Sequence, residues 1–488
     1  MRPLVYGVGM VDSRIRRVSR RSFLHGAAVG SAALWSISQM VSASSAARVL
    51  GSNDVVRVGV IGLNGRGGGL VNEFRRVDGV QITALCDVDS SVLSRRMAEA
   101  EKAGDKPQGF TDARAMFDAN CVDAVAIATP NHWHTLLGVW ACERGVDAYV
   151  EKPVSHDVWE GMQLEAAARR HGRVVACGTQ SRSNPGMQEL IAFVQGGELG
   201  AVKLARGLCY KPRGSIGKID TPRQPPETVD YDLWLGPAEQ QPVQRKRFHY
   251  DWHWQWPFGN GDLGNQGVHQ MDMCRWGIGA DDLPPQAWSL GGRVGYDDDG
   301  DTPNTQILWL GYEPAPIIFE VRGLPRQRGK GGMDQFLGTS IGVVFHCDHG
   351  YVVSNHYAGG YACDPSGKRI REFKGGGRHA QNFIDAVRAG DSSMLSADAH
   401  EGHLSAALCH LGNDSVRHGA ELQAAEVADR ALWLPEMSEA WARVQWHFER
   451  NELPLASTPV AVGKLLQEEI KTCSPRSYRA PFVVEPQV

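Results

Sequence analysis

The segment that most constrains the fold is VVRVGVIGLNGRGGGLVNEF, Val55 to Phe74. A strand pattern rich in β-branched residues, Val55 to Ile61, breaks into a glycine-rich turn, and a helix pattern begins near Arg66. Strand, glycine turn and helix in this order present backbone amides at a helix N-terminus to a pyrophosphate, at the edge of a parallel sheet. Gly62 permits the tight turn and Gly67 lets the helix pack closely on the strand, while the middle glycine of the GxGxxG pattern is Asn64. Glycine-rich turns are common, so the motif needs its context.

Context follows at once. A second strand, Val80 to Cys86, ends at Asp87, 25 residues after Gly62. A carboxylate there accepts both hydroxyls of an adenosine ribose and repels a 2′-phosphate, which favours NAD over NADP. Asp87 could instead cap the following helix, a role that Asp89 can fill alone. Strand and helix continue to alternate: Val122 to Ala128, His134 to Arg144, Ala148 to Val150, Val158 to His171, Val174 to Ala176. This is the pattern of a doubly wound parallel sheet, whose ligands lie beyond the carboxyl ends of the strands. Two sequences fall at those ends, TPNHWH (Thr129 to His134) and EKP (Glu151 to Pro153).

The 488 residues allow two or three domains, and 51 Lys+Arg against 55 Asp+Glu exclude a basic nucleic-acid binder. The ten cysteines form no CxxC pair and no cluster at zinc-ligand spacing, so most are expected as small buried hydrophobes and no metal is expected. The N-terminus differs from the rest. SRRSFLH at Ser19 to His25, a small-residue apolar stretch and ASSAA at Ala43 to Ala47 read as an export signal of the twin-arginine type over residues 1–47. The expected location is periplasmic or otherwise exported. That segment holds six Arg and one Asp, so its removal takes the formal charge from −4 to −9.

The glycine turn, Asp87, ATPNHWH and EKP, in this order and spacing, resemble the Gfo/Idh/MocA oxidoreductases over roughly residues 54 to 430. The resemblance implies a Rossmann NAD-binding domain at 54–178 and a substrate-binding α+β domain at 179–430. It also implies that Lys152 stands between nicotinamide and substrate hydroxyl, with Asn131 and His132 on the nicotinamide side. The expected cofactor-binding set is Gly62, Asn64, Gly65, Arg66, Gly67, Asp87, Thr129, Asn131, His132, Glu151 and Lys152. An isolated EKP would read as a surface ion pair. At a strand end beside a cofactor, a desolvated lysine can share its proton near neutral pH.

After Cys177, strand-like runs without intervening helices (Lys203 to Tyr210, Ala287 to Val294, Thr305 to Leu310, Ile317 to Val321, Ile341 to Phe345) predict an open, mostly antiparallel sheet. A polar, Pro-rich insertion runs from Lys211 to Asn260. Trp252, Trp254 and Trp256 in it alternate like one face of a strand, and serve equally as a sugar-stacking platform or as core. Lys211, Arg213, His253 and Trp254 are candidate substrate-binding groups. In GNGDLGNQGVHQMD, Gly259 to Asp272, the resembled family's pattern places an Asp and a His four apart against the substrate, the His acting as base. His269 and the trailing Asp272 match, but Asn265 stands at the Asp position, so a sugar hydroxyl can be bound there but not deprotonated. Acid–base work then falls on His269 and Lys152. Two amphipathic helices are read between Arg378 and Gly419, with His403 and His410 packing, and 431–488 as a helical extension that wraps a neighbouring subunit.

These features predict an oxidoreductase moving hydride from a hydroxyl-bearing carbon of a sugar, polyol or sugar derivative to a nicotinamide. An exported enzyme meets no replenished nicotinamide pool, so the cofactor is expected to be tightly bound and recycled in place. One alternative is a glycosidase that oxidises a ring carbon transiently, eliminates the glycosidic bond and returns the hydride. Another is a non-catalytic carbohydrate- or cofactor-binding protein, for which Asn265 is the best argument. A sheet face left exposed in the second domain would favour a homo-oligomer.

Overall fold

The computed structural model describes residues 55–428, 435–470 and 474–487. The twin-arginine segment lies outside the described residues. The first half alternates β1 (Val56–Ile61), α1 (Arg66–Arg75), β2 (Val80–Cys86), α2 (Ser90–Lys102), β3 (Gln108–Phe110), α3 (Ala113–Asp118), β4 (Ala124–Ile127), α4 (His134–Glu143), β5 (Asp147–Val150), α5 (Val158–Arg170) and β6 (Val175–Cys177). Its six strands are parallel, in the order β3-β2-β1-β4-β5-β6. β4, β5 and β6 are buried on both faces, which is why their sequences are apolar apart from Asp147 at the start of β5. The chain reverses order beside β1, so the crevice between β1 and β4 is the expected ligand position.

The second half contains α6 (Pro185–Gln195), β7 (Val202–Tyr210), α7 (Tyr231–Leu235), α8 (Val268–Gly277), β8 (Ala287–Gly292), β9 (Thr305–Leu310), β10 (Ile317–Arg322), β11 (Ile341–Cys347), β12 (Gly350–His356), β13 (Gly359–Cys363) and β14 (Arg369–Lys374). It continues through α9 (His379–Ala389), α10 (Ala399–Arg417), β15 (Ala420–Gln423), α11 (Pro435–Arg450) and β16 (Pro459–Val462). Ten strands form one sheet, β14-β13-β12-β11-β7-β10-β9-β8-β16-β15, antiparallel except where β7 pairs β10. The inner face packs on α6, α8 and α10 through Leu190, Met271 and Leu408 against Phe319 and Phe345. This is the expected fold class, an α/β domain followed by an α+β domain with an open, mostly antiparallel sheet.

Three readings are corrected. The sheet face expected to be exposed is covered over β8 to β10 by α11, whose Trp441, Val444 and Phe448 bury against Trp288, Leu290 and Ile318, so that face no longer argues for a homo-oligomer. The helical extension is only partly helical: beyond α11, β16 joins the sheet. Nor do the described residues 474–487 need a neighbouring subunit, since they fold onto their own chain. Arg476 Nε donates to Glu160 Oε1 at 2.8 Å, and Phe482 packs edge-on against Trp133. The three tryptophans do not form a strand face, because Asp251–Trp254 is a 3-10 turn. Nine cysteines are free among the described residues, eight of them buried. None of the described helices is long and apolar enough to cross a membrane.

Candidate active site

Two adjoining cavities run along the carboxyl ends of the parallel strands. The smaller, about 110 Å³, lies beside Gly62, Asp87, Thr129 and Trp252. The larger, about 730 Å³, is lined by Gly65, Arg66, Thr129, Asn131, Glu151, Lys152, Asn265 and His269. They share Asn64, Ala128, Thr129, His249 and Trp252, and so form one groove from Asp87 to Lys152.

The glycine turn is shaped by contact. Gly62 and Gly65 have φ of +81° and +71°, and a Cβ on Gly67 would lie 1.7 Å from the Gly62 carbonyl oxygen. Helix α1 can therefore approach the strand only with glycine there. Gly67→Ala is expected to lower stability by about 1–3 kcal/mol through overpacking and to weaken nucleotide binding, as urea unfolding and NAD titration would show. Asp87 is fixed by two backbone amides: Leu63 N–H donates to Oδ2 at 2.7 Å and Asp89 N–H to Oδ1 at 2.9 Å. Asp89, not Asp87, caps α2, accepting from Ser91 N–H at 2.9 Å. Asp87 thus stays free of the helix cap and lines the groove, and burial raises its pKa, opposed by those amides. Asn64 receives an Arg95 N–H at 3.4 Å. Arg66 Nε donates to Glu151 Oε1 at 2.6 Å, and its NH1 to Glu73. Together these ties clamp the turn to the end of β5.

Thr129 has a buried hydroxyl without a partner among the described residues. That orphan, the glycine cradle and the acceptor at Asp87 fit a dinucleotide lying along the groove. No group of three or more His, Cys, Asp or Glu among the described residues could hold a metal ion.

At the far end, Lys152 Nζ donates to the Asn265 carbonyl at 2.8 Å. Burial lowers the Lys152 pKa, Glu151 opposes the shift, and Lys211, Arg66 and Arg213 add to it. Asn265 sits on a π-turn, Leu263–Gly267, that leads into α8, whose first turn carries His269. His269 is buried, its Nδ1 has no partner among the described residues, and its ring meets Tyr357 edge-on at 5.1 Å. Burial, reinforced by Lys152, Lys211 and Arg66, pushes its pKa well below the ordinary imidazole value. The ring is neutral at physiological pH and able to take a proton. Asp272 does not reach the cleft: it accepts from Arg182 Nε at 2.9 Å and from Ser405 at 2.7 Å in a buried network.

Other expected positions move. His132 is turned away from the groove, its Nε2 3.1 Å from the Trp234 carbonyl and its ring against Trp234 and Phe258. Asn131 to Trp133 form a 3-10 turn, and it is His134 that lines the cleft, between the carbonyls of Thr129 (2.8 Å) and Pro153 (2.6 Å). Asn131 lines the cleft and donates to Asn260 Oδ1 at 2.9 Å. His253 also lines it, stacked on Trp252 at 3.7 Å. Trp254 is buried under Arg213 instead of facing the cleft. Lys211 and Arg213 stand behind the lining, bound to Gln266 at 2.7 Å and Asp262 at 2.8 Å. Sequence reasoning missed Tyr357, which reaches the cleft from the β12–β13 turn and accepts from Gln266 at 2.7 Å.

Comparison with known proteins agrees with this geometry. A 166-residue stretch, 32% of this chain, is 36% identical to a glycosyl hydrolase family 109 protein of Solibacter usitatus and spans 38% of that relative. Among solved structures, the WlbA dehydrogenase of Bordetella pertussis, in complex with NADH and UDP-GlcNAcA, shares the fold at TM-score 0.54 and 17% identity, over 74% of this chain and 97% of its own. A levoglucosan dehydrogenase, in complex with NADH and L-sorbose, does so at TM-score 0.56 and 17% identity, over 73% and 95%. Residues 56–179 match the oxidoreductase family NAD-binding Rossmann fold, and residues 201–301 match the C-terminal α/β domain of the same family. Over these two segments the chain carries both domains of the Gfo/Idh/MocA oxidoreductase family.

Proposed function

We propose that the protein oxidises a hydroxyl-bearing carbon of a sugar, polyol or sugar derivative, using a nicotinamide dinucleotide held along the groove from Asp87 to Lys152. The observation that carries this reading is the meeting of Lys152 and a neutral, buried His269 in the same cleft as the glycine turn. Gly62, Gly65 and Gly67 cradle the pyrophosphate, Asp87 accepts from the adenosine ribose, and Thr129 and Asn131 border the nicotinamide end. When bound, the nicotinamide supplies the hydride acceptor. His269 takes the hydroxyl proton. Lys152 exchanges its Asn265 contact for the substrate oxygen and stabilises the charge that develops there. Asn265 orients a second hydroxyl without ionising.

NAD is the preferred form because Asp87 would face a 2′-phosphate at close range. Asp87→Ser is expected to shift the NAD to NADP ratio of kcat/KM by at least about tenfold, about 1.4 kcal/mol, toward NADP. An unchanged ratio would remove Asp87 from the ribose site. If residues 1–47 direct export, the cofactor is loaded beforehand and recycled in place, so tight binding belongs to the same proposal.

A second reading, redox-neutral glycoside cleavage, draws support from the relative named glycosyl hydrolase family 109. It uses the same residues for the same first oxidation. Incubation with free sugars and with aryl glycosides separates the two: net NADH formation supports the oxidoreductase, and aglycone release without net NADH supports the glycosidase. If neither occurs, the protein binds without catalysing.

A further inference from the structure

A second cavity, of about 270 Å³, lies behind the wall of the cleft and belongs to neither the nucleotide groove nor the reacting end. It draws its lining from four separate parts of the chain: His156 and Asp157 after the EKP turn, Trp256 from the insertion, Asn413 and Asp414 of α10, and the C-terminal segment. Its size is just below the range of about 300–1,000 Å³ usual for small-molecule sites, suited to one sugar ring and too small for a dinucleotide.

The decisive feature is unmet hydrogen bonding. His156 Nε2, Asp157 Oδ2 and Asn413 Oδ1 are each buried without a partner among the described residues. Buried polar atoms are satisfied in more than about nine cases in ten, so three orphans around one cavity point to a guest that hydrogen-bonds. The set also specifies its chemistry. Two of the three are oxygen acceptors, and the Asp414 carboxylate stands beside them. Of the neighbouring cations, Arg476 is engaged on Glu160 and the His132 carbonyl, at 2.8 and 2.9 Å, while Arg417 lies over the Trp256 ring at 5.0 Å and 3.8 Å from Asp414 Oδ1, a charge contact too long for a hydrogen bond. The guest must bring donors. An anion such as phosphate would bring its charge against the Asp157 and Asp414 carboxyl groups, whereas a neutral polyol brings a donor on every hydroxyl.

We propose that this cavity is a second binding site, for a neutral polyhydroxyl compound of monosaccharide size. Burial, helped by the Glu160 charge, pushes Asp157 up to about 7 although the Glu160 N–H donates to its other oxygen at 2.7 Å, and burial raises Asp414 against the opposing charge of Arg417. The site is one side chain from the cleft. Asn260 accepts from Asn131 at 2.9 Å on the cleft side and donates to the His156 carbonyl at 2.9 Å on the other. Occupancy would therefore bear on the loop that borders the nicotinamide. The site does not depend on which reaction the cleft performs.

Titration calorimetry of the full chain with myo-inositol, D-glucose and inorganic phosphate tests it, alongside Trp256→Ala, Asp414→Asn and, in the cleft, Asn265→Ala. Polyol binding is expected to weaken about tenfold or more on loss of the Asp414 carboxyl group, to weaken with Trp256→Ala, and to persist in Asn265→Ala; phosphate should not compete. A crystal soaked with myo-inositol should show density between Trp256 and Asp414. The proposal is overturned if no polyol binds, if binding responds only to Asn265, if phosphate binds in preference, or if the soaked crystal shows only water in this cavity.

Discussion

Replacing Lys152 with methionine is expected to lower turnover by about 10²–10⁴-fold, the range for loss of a positioned acid–base group, with nucleotide affinity little changed. The separation follows from where each task is performed. In the proposed mechanism nucleotide binding rests on the glycine turn and on Asp87, while Lys152 Nζ donates to the Asn265 carbonyl at the opposite end of the groove. Methionine keeps much of the side chain's length and fills the same space without a donor, so the packing around Glu151 and Pro153 should survive. Arginine would not rescue, because its planar fork cannot act as a compact ammonium that gains and loses a proton. NAD titration together with steady-state rates checks the prediction. Full turnover in Lys152→Met would remove the lysine from the mechanism.

His269→Ala should produce a loss of the same order, about 10²–10⁴-fold, with a diagnostic pH dependence. In the wild type, burial and the cations around His269 hold its pKa well below 6.5, so the ring stays a competent base as pH falls through the ordinary imidazole range. The acid limb of kcat/KM in the oxidation direction should therefore lie below pH 6.5, and His269→Ala should abolish that limb. A limb at or above 6.5 would mean that another group, or an unburied imidazole, takes the proton. If Lys152 and His269 serve the same oxygen, as proposed, the double variant should lose little more than either single variant.

The parallel half was legible because physics writes it plainly. Strands buried on both faces read as continuous apolar runs, and the chemistry collects where they end. Asp87, Glu151 and Lys152 could be placed from that rule alone. Less was legible where a single residue step decides direction. The 3-10 turn at Asn131 to Trp133 sends His132 into an aromatic cluster and leaves His134 to tie Thr129 to Pro153. The turn at Asp251 to Trp254 likewise puts Trp252 in the groove and Trp254 in the core, although the spacing of the pair resembles a strand face. Tyr357 left no local signal, since a turn far along the chain is brought to the cleft only by sheet pairing. β14 escaped notice because it is largely exposed and polar, with only Phe373 buried. The covering of the sheet by α11 could not be seen from the strands, because their outward apolar residues look the same whether a helix or a second subunit buries them.

The most direct test of the account is to purify the protein without added nucleotide, denature it and identify what it releases. The account predicts stoichiometric NAD(H). A preparation that releases no nicotinamide, and shows no heat on titration with NAD or NADP, would contradict it.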